Sequence, residues 1–298
     1  MVRLGMALLG VSLAATMLCG VAAAAPPRVI ASYVYATTLE GLKVEAYNRG
    51  CSFARNHPGG ERVLLLDFGA ARKTGSSSWG ALSFGGHLFS NAEILAGLKA
   101  TADGHHNCYV RGTTIVTYGN SNYRMAISGM TQTDAYNVGF YQSSRAQQLA
   151  SYQRSLGYNR QTAAIASDIE PSWDGAPISR KIVDGASAHG YALLYDYGSA
   201  DGCPASGSGG TCNNGWQVAD VAHVSFSGSA VPLPEIYYTV NADQWTVVRR
   251  WWNGNATGGY LFWGTTATVG VGLTPAQGWD ALAARNPGIV LGELVCFC

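Results

Sequence analysis

Two carboxylates set the chemical question. Asp168 and Glu170 stand two apart in the run Ser167-Asp168-Ile169-Glu170-Pro171-Ser172-Trp173. On a β-strand, side chains at i and i+2 point to one face, about 6.6 Å apart along the backbone. Two carboxyl groups that close disfavour joint ionisation, so one keeps its proton near neutral pH. Glycosidic cleavage needs a proton donor for the leaving oxygen and a second carboxylate for the cationic sugar. Glu170, further along the strand, is assigned as the general acid/base and Asp168 as its partner. Side-chain reach spans both distance classes, so the spacing leaves inverting and retaining chemistry open.

The elements that must position this pair are apolar β-rich runs alternating with helical stretches. The runs fall at Val29–Thr37, Arg62–Gly69, Thr113–Asn120, Ala163–Glu170, Tyr191–Tyr197, Val221–Phe226, Pro234–Thr239 and Gly259–Thr265. The continuous apolar run Val63-Leu64-Leu65-Leu66 suits a parallel strand buried on both faces. Between the runs, Ser90 with Glu93 has capping-box spacing, and Thr274-Pro275 reads as an N-cap followed by Pro at N1. An open doubly wound sheet shares this alternation. The count of eight, without a glycine fingerprint after the first strand, favours a (β/α)8 TIM barrel, a single domain of α/β class over residues 26–298.

Barrel chemistry sits at the C-terminal strand ends. Reading those ends collects Tyr35, Asp67, Tyr118, Asn120, Asp196, Tyr197, Tyr237 and Trp263 around the carboxylate pair. Aromatic faces stack on sugar rings, while carboxylates and amides bind hydroxyls. These eight are the expected substrate-binding residues. Asp67-Phe68-Gly69 also spells a kinase tripeptide, but its companion motifs are missing. No P-loop, G-x-S-x-G or H-E-x-x-H occurs.

Composition narrows the partners. The chain has 298 residues, 47% hydrophobic and only 12% charged, with Lys+Arg 19 against Asp+Glu 18. Without a basic excess, nucleic acid is excluded as a partner. With 16 Tyr, 8 Trp and 8 Phe, the chain is not disordered. An uncharged carbohydrate polymer suits a neutral, aromatic-rich protein, and a monomer without a cofactor is expected.

Residues 1–25 read as a secretory signal: Arg3, an apolar stretch, then Ala22-Ala23-Ala24-Ala25 before Pro26-Pro27. A membrane anchor is the rival, but the small-residue end favours cleavage, leaving no membrane contact and a secreted, extracellular protein. Of 7 Cys, removing Cys19 leaves six. In an oxidising compartment these suggest disulfides, Cys203–Cys212 first and Cys51–Cys108 second, with Cys296 and Cys298 open. Zinc is disfavoured because no ligand cluster of suitable spacing exists, so no metal is expected.

The motif Asp168-Ile169-Glu170 at a fourth barrel strand, with Trp263 on the last, resembles glycoside hydrolase barrels. It is similar to family 18 chitinases and family 25 lysozymes. The chitinase resemblance implies Glu170 as acid, Asp168 steering a substrate acetamido group, and Trp263 flooring a sugar subsite. Either resemblance implies hydrolysis of N-acetylated glycans. The chain departs from the chitinase pattern at Ala163 and Ala166, where that pattern has Asp, and lacks the lysozyme-type Asp within Val29–Thr37. The expected function is hydrolysis of an extracellular polysaccharide by a divergent glycoside hydrolase-like protein. The alternative is a non-catalytic carbohydrate or cell-wall binding protein on a degenerate barrel.

Overall fold

The protein is described by a computed structural model covering residues 28–57, 59–108, 112–256 and 261–297. The predicted signal segment and Cys298 lie outside the described residues.

Successive elements are β1 (Arg28–Tyr33), α1 (Leu39–Asn56), β2 (Glu61–Gly75), β3 (Ser78–Leu82), β4 (Leu88–Ser90), α2 (Asn91–Asn107) and β5 (Thr113–Ser121). Then come α3 (Gln132–Ser155), β6 (Gln161–Asp168), α4 (Ala176–His189), β7 (Leu194–Asp196), α5 (Val218–Phe226) and β8 (Ala230–Pro232). The chain ends with α6 (Thr239–Asn255), β9 (Phe262–Thr268), α7 (Pro275–Arg285) and β10 (Val290–Phe297).

Eight parallel strands follow the order β8-β7-β6-β5-β2-β1-β10-β9. The two ends meet where the chain beyond β8 bridges Glu235 to Thr266, with Ile236 N donating to Thr266 O at 3.1 Å and Thr266 N to Pro234 O at 2.8 Å. The fold is a (β/α)8 barrel. Its strands are apolar on both faces because the helices cover the outside and side chains fill the inside. Val63, Leu64, Leu65 and Leu66 are all buried in β2, as the continuous run requires.

The capping residues behave as expected. Ser90 Oγ accepts from Glu93 N while Glu93 receives Ser90 N, and Thr274 with Gln277 forms the same reciprocal pair. Both expected disulfides are present, Cys51–Cys108 and Cys203–Cys212.

Several elements differ from the sequence reading. Val221–Phe226 is helical, part of α5, whose buried Val218, Val221, Ala222 and Ser225 follow i, i+3, i+4, i+7. A short apolar run does not distinguish strand from helix until its period is counted from the correct start. Pro234–Thr239 is not a separate strand: its first residues continue β8 and its last begins α6. The expected final strand begins later, at Phe262, and β10 after it completes the eight. The count of eight therefore came from a misassigned helix and an overlooked last strand. His105 and His106 lie on α2. The His105 ring is buried between Thr114 Oγ1 at 2.6 Å and Gln161 Nε2 at 3.2 Å.

A hairpin also leaves the barrel. β2 runs past the barrel and pairs antiparallel with β3, and β3 with β4. Gly69 makes this exit possible. Its φ is +93°, and a Cβ there would stand 2.2 Å from Leu82 O, so only glycine fits the bend.

Candidate active site

The carboxylates gather at the C-terminal ends of the strands. Asp67 ends the barrel portion of β2, where it registers with Tyr33 of β1. Its Oδ1 accepts Gly69 N at 2.7 Å, so the glycine that turns β2 outward also fixes this side chain. Asp168 is the last residue of β6 and registers with Ser121 of β5. Glu170 follows two residues on, after the chain has left the strand.

A buried asparagine holds Glu170 in place. Asn122 Oδ1 accepts Glu170 N at 3.2 Å, and its Nδ2 donates to Glu170 O at 3.1 Å and Ser179 Oγ at 2.9 Å. Asn122 N also donates to Asp168 O at 3.1 Å. One residue thus grips the backbone on both carboxylates.

A further carboxylate, Glu235, joins them from the segment that closes the barrel. The Glu170 and Glu235 carboxyls are close enough to perturb each other's protonation. Tyr237 donates its hydroxyl to Glu235 Oε1 and lies 3.1 Å from Thr268 Oγ1. The sequence reading selected Tyr237 and passed over Glu235. The available signal was alternation: in Glu235-Ile236-Tyr237, the Glu shares a face with the Tyr. Asn122 gave no such signal, because its role rests on contacts with residues 48 and 57 positions away.

Burial dominates the electrostatics. It pushes Glu170 up to about 9, with Glu235 and Asp201 adding repulsion. Burial and then the Glu170 charge raise Asp168 well above the usual carboxylate range. Burial pushes Glu235 up to about 7, opposed by the hydrogen bond from Tyr237. Asp67 is pushed up to about 6 by burial, opposed by the Gly69 and Tyr197 donors. Near neutral pH the group holds protons, Glu170 among them.

A cavity of about 370 Å³ opens beside Asp67 and Asp168, walled by Tyr33, Phe84, Tyr123 and Trp173, with Arg72 on its lining. Asp168 Oδ1 is buried and has no hydrogen-bond partner. The Glu170–Glu235 pair lies toward β8 and β9. Beneath, Tyr33 stacks on Phe297 at 4.3 Å, and Tyr197 lies 5.9 Å from Phe297. This floor gives the carboxyls an apolar underside. A larger cavity, about 530 Å³, lies at the opposite end of the barrel against Gln161, Tyr191 and Leu193, and none of these carboxylates lines it.

Tyr197 is buried in the barrel, its hydroxyl between Asp67 and Asn120 O, the latter at 3.2 Å. Tyr35 is 57% exposed and its ring lies 5.9 Å from Phe84, on the outer edge of the cavity wall.

Four others turn away from the mouth. Tyr118 donates to Asn91 Oδ1 on α2 at 3.1 Å. Asn120 accepts Ser167 Oγ at 2.7 Å. Asp196 accepts Ser225 Oγ of α5 at 2.5 Å and is pushed up to about 7 by burial. These three strand-end residues face the helices, because alternate side chains of a barrel strand point outward. Trp263 stands at the start of β9, not its end, with its ring 5.7 Å from Tyr195. Shifting the last expected strand onto Phe262–Thr268 moves Trp263 to the far end of the barrel.

Among the described residues, no group of three or more His, Cys, Asp or Glu side chains is arranged to hold a metal ion. No described helix is long and apolar enough to cross a membrane.

No family profile and no curated protein matches this chain. A similar solved structure is the endo-beta-N-acetylglucosaminidase from Cordyceps militaris in apo form, at 11% identity and TM-score 0.34, over 89% of this chain and 87% of that one. A likeness this slight carries no argument about function.

Proposed function

We propose that this protein is a secreted glycosidase that hydrolyses an extracellular polysaccharide, with Glu170 as the proton donor. The carrying observation is the state of Glu170. It is buried, gripped at its backbone by Asn122, and pushed up to about 9 by burial and facing carboxylates. A carboxylic acid still protonated at neutral pH is what the leaving glycosidic oxygen requires.

The neighbouring groups support a sugar ligand. The aromatic walls Tyr33, Phe84, Tyr123 and Trp173 offer apolar faces for stacking, and the unpartnered Asp168 Oδ1 offers an acceptor for a sugar hydroxyl or amide. Asp168 steers and stabilises the substrate in this reading. The two disulfides fit an oxidising compartment, in keeping with the N-terminal signal read from the sequence.

The test is hydrolysis of a glycan panel (chitin, peptidoglycan, neutral plant and microbial polysaccharides) by the mature protein. Wild type should release reducing ends from one class, and Glu170→Gln should lose roughly 10²–10⁴-fold in kcat while still binding that glycan. If both proteins bind equally and neither cleaves, the chain is a carbohydrate-binding protein.

A further inference from the structure

We propose that Arg72 forms an anion subsite in the cavity beside Asp168, so that the glycan bound there carries carboxylates on its sugars, as uronic acids do; this rests on the glycosidase reading above.

The hairpin that leaves the barrel carries two adjacent cations, and they are used differently. Lys73 Nζ pairs with Asp134 Oδ1 of α3 at 3.0 Å. Arg72, like Ala70 two residues before it, lines the cavity instead, as strand alternation directs. Among the described residues it is the one cation on that lining, and no carboxylate forms an ion pair with it. The carboxylate whose charge reaches it, Asp174, is held by Ala126 N and Gly175 N, each at 2.7 Å.

The guanidinium is anchored yet keeps donors to spare. Its Nη1 donates to Ala71 O and to Tyr123 O, each at 2.8 Å. Its Nε and Nη2 donate to no described residue. Those two nitrogens form a guanidinium edge that matches the two oxygens of a carboxylate. Anchoring Nη1 lowers the entropy lost when that edge takes a ligand. Arg124, 5.0 Å from the Tyr123 ring, adds a second positive charge beside the same wall.

The rest of the cavity sets what else the ligand must bring. Its volume, about 370 Å³, is that of a ligand site. Asp168 is 7% exposed, and its Oδ1 has no partner. A buried acceptor without a donor calls for one from a ligand. On the wall, Tyr123 and Trp173 meet edge to face at 5.6 Å. Trp173 N donates to Glu170 O at 3.2 Å, so this wall adjoins the proton donor. A fitting ligand therefore has hydroxyl or NH groups for Asp168, an apolar ring face for the aromatics and paired acceptor oxygens for Arg72. A uronic acid has all three. Burial raises Asp67 and Asp168 above the usual carboxylate range, which weakens their repulsion of such an anion. Composition favours an uncharged polymer, but a net charge of +1 does not register one cation left unpaired in a cavity.

The test measures binding of the intact protein to polygalacturonate, alginate and hyaluronan, each beside its carboxyl-reduced form, with dextran sulfate as a different anion. Wild type should bind one acid polymer roughly tenfold or more tighter than its reduced form. Arg72→Met should erase that preference, and Arg72→Lys, which keeps the charge without the fork, should keep part of it. Equal affinity for acid and reduced forms, or binding to none of the polymers, overturns the subsite. So does an Arg72→Met that weakens both forms alike, and dependence on Arg72 for dextran sulfate alone overturns its choice of carboxylate. The wild-type preference needs no variant, so a variant that fails to fold does not block the test. Release of reducing ends separates the two readings. An acid polymer bound through Arg72 and never cleaved overturns the glycosidase and leaves the subsite. Cleavage of a neutral polymer, without preference for any acid form, overturns the subsite and leaves the glycosidase.

Discussion

Glu170 carries a consequence for stability as well as for chemistry. Its ordinary value is 4.5, and the folded protein raises it to about 9 by burial and facing carboxylates. Between those values the folded chain holds a proton that the unfolded chain has lost. Stability therefore falls as pH rises through that window. Glu170→Gln removes the titration, so its melting temperature should decline less than that of wild type between pH 5 and pH 9. Parallel curves would count against a buried, protonated Glu170.

His105 acts with the opposite sign. Burial, then the nearby His106 charge, lower it from 6.5 to about 4. Its contribution is present above 6.5 and is lost as pH falls toward about 4, because the unfolded imidazole takes up the proton first. His105→Gln keeps hydrogen-bonding capacity without titrating, so the variant should lose less stability than wild type between pH 6.5 and pH 4. Thermal melts across that range read the difference.

At the scale of elements, the bend at Gly69 makes a sharp prediction. Ala in its place must adopt φ +93° and meet Leu82 O. Gly69→Ala should cost roughly 1–3 kcal/mol and disturb the Asp67 hydrogen bond, so urea unfolding and substrate affinity should both suffer. Unchanged stability would show that the hairpin does not need this bend.

The disulfides separate stability from site geometry. Loop-closure entropy gives about 4 kcal/mol for the bridge spanning 57 residues, Cys51–Cys108. The bridge spanning 9, Cys203–Cys212, is worth about 2.5 kcal/mol on the same basis. Yet the shorter loop adjoins the site: Asp201 accepts Ser172 Oγ at 2.9 Å, and Asn213 Nδ2 donates to Ser172 Oγ at 3.0 Å, just past Glu170. Replacing Cys51 and Cys108 by Ser should therefore lower the urea midpoint more. Replacing Cys203 and Cys212 should raise KM more. Equal effects on both readouts would contradict this division.

Elements were legible wherever local chemistry decides them. The caps at Ser90 and Thr274 name their own partners three residues away, and the β2 run can only be a doubly buried strand. The short barrel strands were harder. β7 and β8 are three residues each, and tertiary pairing defines them more than propensity does. The slip at β9 turned a far-end side chain, Trp263, into an expected site residue, whereas Tyr118 and Asn120 were misplaced by alternation, which points them outward from a correctly bounded β5. Asp67 and Asp168 escaped this error because they fall on the inward-facing alternation of β2 and β6.

Across the whole molecule, scarcity of charge and abundance of aromatics describe one end of the barrel. Asp67, Asp168, Glu170 and Glu235 gather where Tyr33, Tyr123, Tyr237 and Trp173 also stand, over an aromatic floor. Burial of the acids raises their proton affinity instead of pairing them with bases, so the mouth works by holding protons. The barrel positions the groups by closing through Glu235 itself, which couples integrity of the fold to the composition of the site.

As a proton donor, Glu170 should matter most where the departing oxygen needs a proton. The direct measurement is kcat/KM for wild type and Glu170→Gln on aryl glycosides whose leaving phenols span a range of acidity. The loss should be large with poorly acidic phenols and shrink toward none with dinitrophenol, which departs without protonation. A loss of the same size on every phenol, or no loss on any, would contradict proton donation by Glu170.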